Sequence, residues 1–237
     1  LLAQQGFTAS EDILDGPQGF VQVLAGEGHF EKMVDGLGET FDILSPGLEM
    51  KPYPCCRGTH RCLDAIFALL RERPFSPDEV EAVECRTSDI VPQILIHPHA
   101  RTALEGKFSM QFCLATAILE GEIGLRQFQD DKVRQPQVRQ LMDKVSFVHT
   151  EGVHGVDGWR YPEAVTVRLK NGRTLVKEVL HALGAPENPM SQDDLIAKYR
   201  DCASLALPPR RVEQSLELLS RLEDLGDLSQ LMKVIAC

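Results

Sequence analysis

The side chains with the most chemical reach in this sequence stand together in KPYPCCRGTHRC, residues 51–62, which holds Lys51, Cys55, Cys56, Arg57, Thr59, His60 and Cys62. A second group, His97, His99, Lys107 and Ser109, lies in IHPHARTALEGKFS, residues 96–109. Three chemistries are open to them. A metal site would draw on Cys55, Cys56, Cys62, His60, His97 and His99. Structural zinc sites favour cysteines about two to four residues apart, and an adjacent pair followed by a third cysteine departs from that spacing. We therefore expect no metal and no iron–sulfur cluster; small thiols packing a turn account for the same residues. A reactive cysteine is the second chemistry, because a thiolate near a helix N-terminus and beside Arg57 has its pKa lowered, which would activate Cys55 or Cys56. The third is an anion site. Lys51, Arg57, Thr59 and His60 precede one helix and Lys107 and Ser109 open another, and helix N-termini offer unpaired N–H groups and a positive dipole end. Pro52 and Pro54 would hold Lys51 in a rigid extended approach. The plainer alternative is a solvated lysine and a histidine that caps its helix.

The elements that must position these groups are partly legible. Leu63, Ile66, Phe67 and Leu70 recur at i, i+3, i+4 and i+7, one face of an amphipathic helix that Pro74 closes. Residues 80–87 alternate, with Val83, Cys85 and Thr87 on one face and Glu84 and Arg86 on the other, a half-buried strand. KFSMQFCLATAIL, residues 107–119, is apolar nearly all round and reads as a helix buried on most sides. Pro136 starts a helix whose face is Val138, Leu141 and Met142, and Val145, Phe147 and His149 then turn to a strand pattern. In AVTVRLKNGRTLVKEV two alternating runs flank Asn171 and Gly172, the pair suited to a type I′ hairpin turn. From Ser191 the texture is helical only. Leu195, Ile196 and Tyr199 are in register, Pro208 and Pro209 interrupt, and Val212, Leu216, Leu219 and Leu222 form another stripe. At the other end, Asp15, Gly16 and Pro17 signal a turn and Phe20, Val23 and Leu24 a brief helical stripe. These elements imply an α+β unit over about residues 40–190 followed by helices that lack partners within it.

The chain of 237 residues carries a net charge of −10, which argues against general nucleic-acid binding, since phosphate contacts need a basic surface. Any anion site must therefore be local. No apolar run approaches the length of a membrane span, and nothing near Leu1 reads as a signal peptide. Seven cysteines, odd in number and irregular in spacing, look like reduced thiols, so we expect a cytoplasmic protein. The absence of an initiator methionine, with an opening that reads like the end of an apolar helix, gives the expectation of a fragment.

KPYPCCRGTHRCLDAI, followed by IHPHARTALEGKFSMQFCLATAILEGEIGLRQFQDD, resembles the MmgE/PrpD family, which includes 2-methylcitrate dehydratases, cis-aconitate decarboxylases and iminodisuccinate epimerases. The KPYP-x4-TH turn and the LE-x-KFS-x2-[FY] helix start carry the match, and similarity runs from GFTASEDILDGPQGF to the last helices. The resemblance implies an all-helical domain, built from a long N-terminal half plus the final helices, with a small mixed α+β lid domain inserted. On that pattern residues 1–40 end the helical domain, 41–190 form the lid, and 191–237 are C-terminal helices returning to a helical domain whose N-terminal part lies outside this sequence. The implied active site sits in the cleft between the domains, and the family's acid–base aspartate and histidines belong to the missing helices.

From the lid the resemblance implies Lys51, Cys56 and Phe112, with Lys107 and Ser109 matching its KFS motif. Joined to the charges at the first helix start, this gives Lys51, Cys56 and His60 as expected catalytic groups and Arg57, Lys107, Ser109 and Phe112 as expected substrate-binding groups. Cys56 stands where some members place a histidine, and Phe112 where some place a tyrosine. The implied chemistry is proton abstraction beside a carboxylate, followed by loss of water, loss of carbon dioxide or reprotonation, on a small di- or tricarboxylic acid and without a cofactor. A 2-methylcitrate dehydratase-like elimination is the leading expectation. An iminodisuccinate epimerase-like reaction and a non-catalytic carboxylate-binding module are its alternatives, and the family implies a homodimer.

Overall fold

The structure, a computed structural model, describes residues 1–26, 32, 35–149 and 160–236. The chain divides into two compact units, Leu1–Leu48 and Glu49–Cys237. The first unit is turn-rich. After a short 3-10 turn at Ala3–Gln5, helix α1 spans Phe20–Ala25 between Gly19 and Gly26, so the expected stripe is helical. Its side chains Phe20, Val23 and Leu24 are exposed.

The second unit is a sheet with helices on one face. Its strands are β1 (Val80–Thr87), β2 (Val145–His149), β3 (Glu163–Leu169) and β4 (Thr174–Val179), in the spatial order β2-β1-β3-β4. β1 and β2 run parallel, with Val83 opposite Val145, while β3 lies antiparallel to both β1 and β4. The helices are α2 (His60–Glu72), α3 (Ile90–Ile94), α4 (Ala103–Gly106), α5 (Met110–Glu120), α6 (Asp130–Val133), α7 (Pro136–Met142), α8 (Gln192–Ala203), α9 (Pro209–Ser220) and α10 (Ser229–Ile235). The fold class is α+β.

Alternation decides which face of the sheet meets the helices. Val83 and Cys85 of β1, Val165, Val167 and Leu169 of β3 and Leu175 of β4 are buried in one core with Leu63, Ile66 and Leu69 of α2 and Met110, Phe112 and Leu114 of α5. The opposite face carries ion pairs, Arg168 to Glu84 at 2.7 Å and Arg86 to Glu178, as the polar positions of β1 imply. α2 ends at Glu72 before Pro74, as its periodicity requires. The buried helix begins later than its composition suggests. Ser109 caps it by accepting the Phe112 N–H at 3.1 Å, and Lys107 still belongs to the end of the preceding turn of helix.

The β3–β4 hairpin departs from the expected type I′ turn, which needs positive φ at both central residues. Gly172, with φ of 83°, has positive φ and Asn171 does not. Leu169 N–H bonds Arg173 C=O at 2.9 Å, leaving a three-residue loop, 170–172, in which a turn is followed by a left-handed glycine. The Asn171 side chain instead accepts the Arg173 N–H at 3.0 Å.

The C-terminal helices follow the sequence pattern. Ser191 and Asp194 form a reciprocal capping box at the start of α8. Tyr199 of α8 hydrogen-bonds Ser215 of α9 at 2.7 Å, and Leu218 of α9 packs with Leu231 and Val234 of α10 in a small cluster of their own. Among the described residues no helix is long and apolar enough to cross a membrane.

Candidate functional site

The turn at residues 50–60 is fixed from both sides. Met50 N–H donates to Gly184 C=O at 2.8 Å, and Cys56 N–H donates to Lys107 C=O at 2.9 Å. The second bond joins the two stretches that sequence alone singled out. Asp64, one helical turn into α2, holds the rest: one carboxylate oxygen accepts the Tyr53 hydroxyl at 2.6 Å and the other accepts the Leu183 N–H at 2.6 Å. Each such bond to a charged group is worth about 1.5–3 kcal/mol, so one aspartate ties the turn and the 180–185 loop to the same helix. Burial, reinforced by the Asp64 charge, pushes the Tyr53 phenol far above its ordinary range, so it stays a donor.

Arg57 leaves this turn towards the loop after β4. Its guanidinium donates to Leu183 C=O at 3.1 Å and pairs with Glu49 at 3.0 Å. It also stands 3.2 Å from His60 Nδ1. A guanidinium can only donate, so Nδ1 accepts and the ring proton sits on Nε2. That atom is buried and has no hydrogen-bond partner among the described residues. The His60 ring is fully buried, edge-on to Tyr53 with centroids 5.1 Å apart.

Beside Arg57 opens a cavity of about 470 Å³, lined by Glu49, Arg57, Arg61, Arg160, His181 and Glu187 with Leu180, Ala182 and Ala185. Three arginines on one concavity give it the chemistry of a carboxylate receptor, since a guanidinium presents a planar fork that matches a carboxylate. Two carboxylates temper the charge: Glu49 on Arg57, and Glu187 3.7 Å from His181. Arg61 is almost fully buried; its Nη1 donates to Tyr161 C=O at 2.6 Å and its Nε lies 3.8 Å from Glu163.

The cysteines form a separate, inward-facing cluster. Cys55 is buried, with its sulfur 3.0 Å from the Thr59 hydroxyl, which also donates to Cys56 C=O at 2.9 Å. Hydrogen bonding from Cys113, with a smaller effect of the neighbouring His60, pulls the Cys55 thiol down to about 5 against the effect of burial. Burial and the neighbouring Cys55 push Cys113 well up. Among the described residues no three His, Cys, Asp or Glu side chains gather as metal ligands.

The seven sequence-derived site residues therefore separate. Arg57 alone of them lines the arginine cavity. Lys51 is exposed, with Nζ 3.5 Å from Cys55 C=O. Cys56 is half-buried and enters the network through its backbone. Lys107 places its ammonium 5.9 Å from the centre of the Phe128 ring. The N-terminus of α5, offered above as a second anion site, is taken up by the fully buried Ser109 hydroxyl. Phe112 is fully buried against Phe128, and a Cβ on Gly106 would come within 2.9 Å of its ring. Neither Ser109 nor Phe112 lines the cavity. Sequence reasoning missed Arg61, Arg160 and His181.

The MmgE/PrpD C-terminal domain matches residues 53–224. This chain belongs to the MmgE/PrpD family. It is similar to cis-aconitate decarboxylases along its whole length: 29% identical to that of Mus musculus over 99% of this chain and 48% of the relative. The corresponding figures are 27% over 99% and 49% for that of Homo sapiens, and 25% over 100% and 51% for that of Aspergillus terreus. The chain thus spans about half the length of the curated relatives it matches. The matched MmgE/PrpD segment contains Arg57, Arg61, Arg160 and His181, so the whole cavity apart from Glu49 lies within the family's domain.

Proposed function

We propose that residues 49–237 supply the lid side of the active site of an MmgE/PrpD lyase that acts on a small tricarboxylic acid without a cofactor. Decarboxylation of cis-aconitate is the leading reaction, because it is the named activity of the relatives that match the full chain. The arginine cavity carries this reading. A tricarboxylate presents several anionic groups at fixed separation, and Arg57, Arg61 and Arg160 place three guanidinium groups around one cavity. Loss of carbon dioxide breaks a carbon–carbon bond and leaves its electron pair on a carbon beside another carboxylate. Fixed cations stabilise that charge, and a proton donor then quenches the carbon. We assign the acid–base groups to the helical domain that precedes this segment in the family and expect a homodimer.

Cys56 and Phe112, where some members carry histidine and tyrosine, favour elimination of water from 2-methylcitrate or epimerisation of iminodisuccinate as the second reading. Presenting cis-aconitate, 2-methylcitrate and iminodisuccinate to the full-length protein in D2O, with products followed by NMR, separates the three. Arg57→Ala removes one charge-assisted contact, about 1.5–3 kcal/mol, so affinity for the processed acid should fall roughly ten- to a hundredfold. Wild-type affinity in Arg57→Ala, or no turnover of any of the three acids, would sink the proposal.

A further inference from the structure

Arg61 reaches the cavity from a position only 5% exposed, and what stands behind it is a second buried charge. Glu163 opens β3, and its parity places it with Val165, Val167 and Leu169 on the helix-facing side of the sheet. It is 3% exposed. Its carboxylate has Arg61 Nε at 3.8 Å, a separation of attraction rather than of hydrogen bonding, and the Cys62 thiol at 3.6 Å. Among the described residues the other titratable group packed there is Cys85 of β1, which hydrogen-bonds Cys62; it and burial push Cys62 far up, so that thiol remains a donor. Across the ladder from β4 the facing residue is Val179, which carries no charge. From the loop before β3 come Arg160, on the cavity wall, and Tyr161, through its backbone.

A buried carboxylate beside a buried guanidinium is a costly arrangement, and apolar residues of similar volume often serve stability as well. Here Arg61 also lines the cavity, where an anion would compete with Glu163 for its charge. We propose that Glu163 is a positioning residue which sets how much of the Arg61 charge is offered to a carboxylate in the cavity: ionised, it neutralises Arg61 from behind, and protonated, it yields that charge to the ligand. This inference rests on the reading that the cavity takes carboxylates. Burial raises the Glu163 carboxyl to about 7, with Arg61 and Cys62 opposing, so both states are populated near neutral pH. Linkage then fixes the sign. An anion in the cavity favours protonated Glu163, so binding takes up a proton and affinity rises as pH falls, by at most about tenfold per pH unit for one proton.

The test is calorimetry of cis-aconitate, with sulfate as an anion of constant charge, binding to the full-length protein and to Glu163→Gln between pH 6 and 8. The variant keeps the shape of the protonated acid. We expect wild-type affinity to fall several-fold across this range and the variant to hold the low-pH affinity throughout, so that the ligand's own titration cancels in the comparison. Equal pH slopes in the two proteins overturn the inference and leave the carboxylate reading standing. Sulfate binding with the slope lost in Glu163→Gln, but no affinity for any polycarboxylate, sustains the inference and overturns that reading. Absence of any anion binding overturns both. If Glu163→Gln does not fold, proton uptake by the wild type on binding sulfate, measured in buffers of different ionisation enthalpy, decides the matter, and zero uptake refutes the coupling.

Discussion

Gly184 should prove the least replaceable glycine of the second unit. It has φ of 85°, and a Cβ built on it would lie 1.8 Å from Met50 C=O and 3.4 Å from the Pro52 ring. Alanine there carries two separate costs. The left-handed backbone alone costs about 1–2 kcal/mol for a residue with a side chain. The steric conflict is with backbone, not with a side chain that can swing away, so the segment at Met50 must move. That movement breaks the 2.8 Å bond from Met50 N–H to Gly184 C=O, another 0.5–1.5 kcal/mol or so. The sum is roughly 1.5–3.5 kcal/mol, which for a unit of this size lowers the melting temperature by about 3–14 °C. Gly172 supplies the control: its φ is 83°, and a Cβ there meets nothing within 4 Å. Gly172→Ala should show the backbone cost alone, about 1–2 kcal/mol. Urea unfolding of both variants, with equal m-values required, gives the comparison, and binding of the carboxylate proposed above should weaken only in Gly184→Ala, because Arg57 hangs from the displaced segment. If the two alanines cost the same and binding is untouched, the close approach of Gly184 to Met50 does not organise the site.

The cysteines divide reactivity from accessibility. Cys202 is exposed, whereas Cys55 is buried despite its lowered thiol, so iodoacetamide followed by mass spectrometry should mark Cys202 before Cys55. Cys55 should react at the rate of local opening; labelling of Cys55 ahead of Cys202 in the folded protein would contradict the burial. Stability should also depend on Glu163. Its folded-state carboxyl lies at about 7 against an ordinary 4.5, so this group's contribution is fully present below about pH 4.5 and is lost as pH rises through 7. The loss is on the order of 3 kcal/mol. The gap between wild type and Glu163→Gln in urea unfolding should widen over that interval, and a gap independent of pH would refute the assignment.

Much of the scaffold was legible because burial imposes a period. The face of α2, the inside and outside of β1, the start of α7 at Pro136 and the capping box at Ser191 all follow from local pattern. The site was legible only in part. Residues 51–60 announce themselves by composition, yet Arg61 looks like an ordinary polar position of an amphipathic helix. It is buried with Glu163 beside it, and that neighbour comes from sheet topology: β3 pairs in antiparallel register with β1, about eighty residues earlier in the chain. Arg160 and His181 flank β3 and β4 and converge for the same reason. One signal was available, since the alternation of Val165, Val167 and Leu169 extended back two residues places a glutamate on the apolar face. Phe112 shows the opposite limit: a helix apolar on all sides has no face from which to tell a substrate contact from a core contact. The Asn171 and Gly172 pair correctly marked the hairpin, while the pairing of Leu169 with Arg173 decided its loop.

Asp64 also sets how this region can come apart. Because its two oxygens accept from Tyr53 on one side and Leu183 on the other, and Met50 reaches Gly184 in parallel, the proline turn and the loop after β4 share their restraints. Neither can fray alone without leaving a half-buried carboxylate short of a donor. The wall that holds Arg57 is accordingly a single cooperative opening unit hinged on α2, and its amides should open and close on one common timescale instead of two.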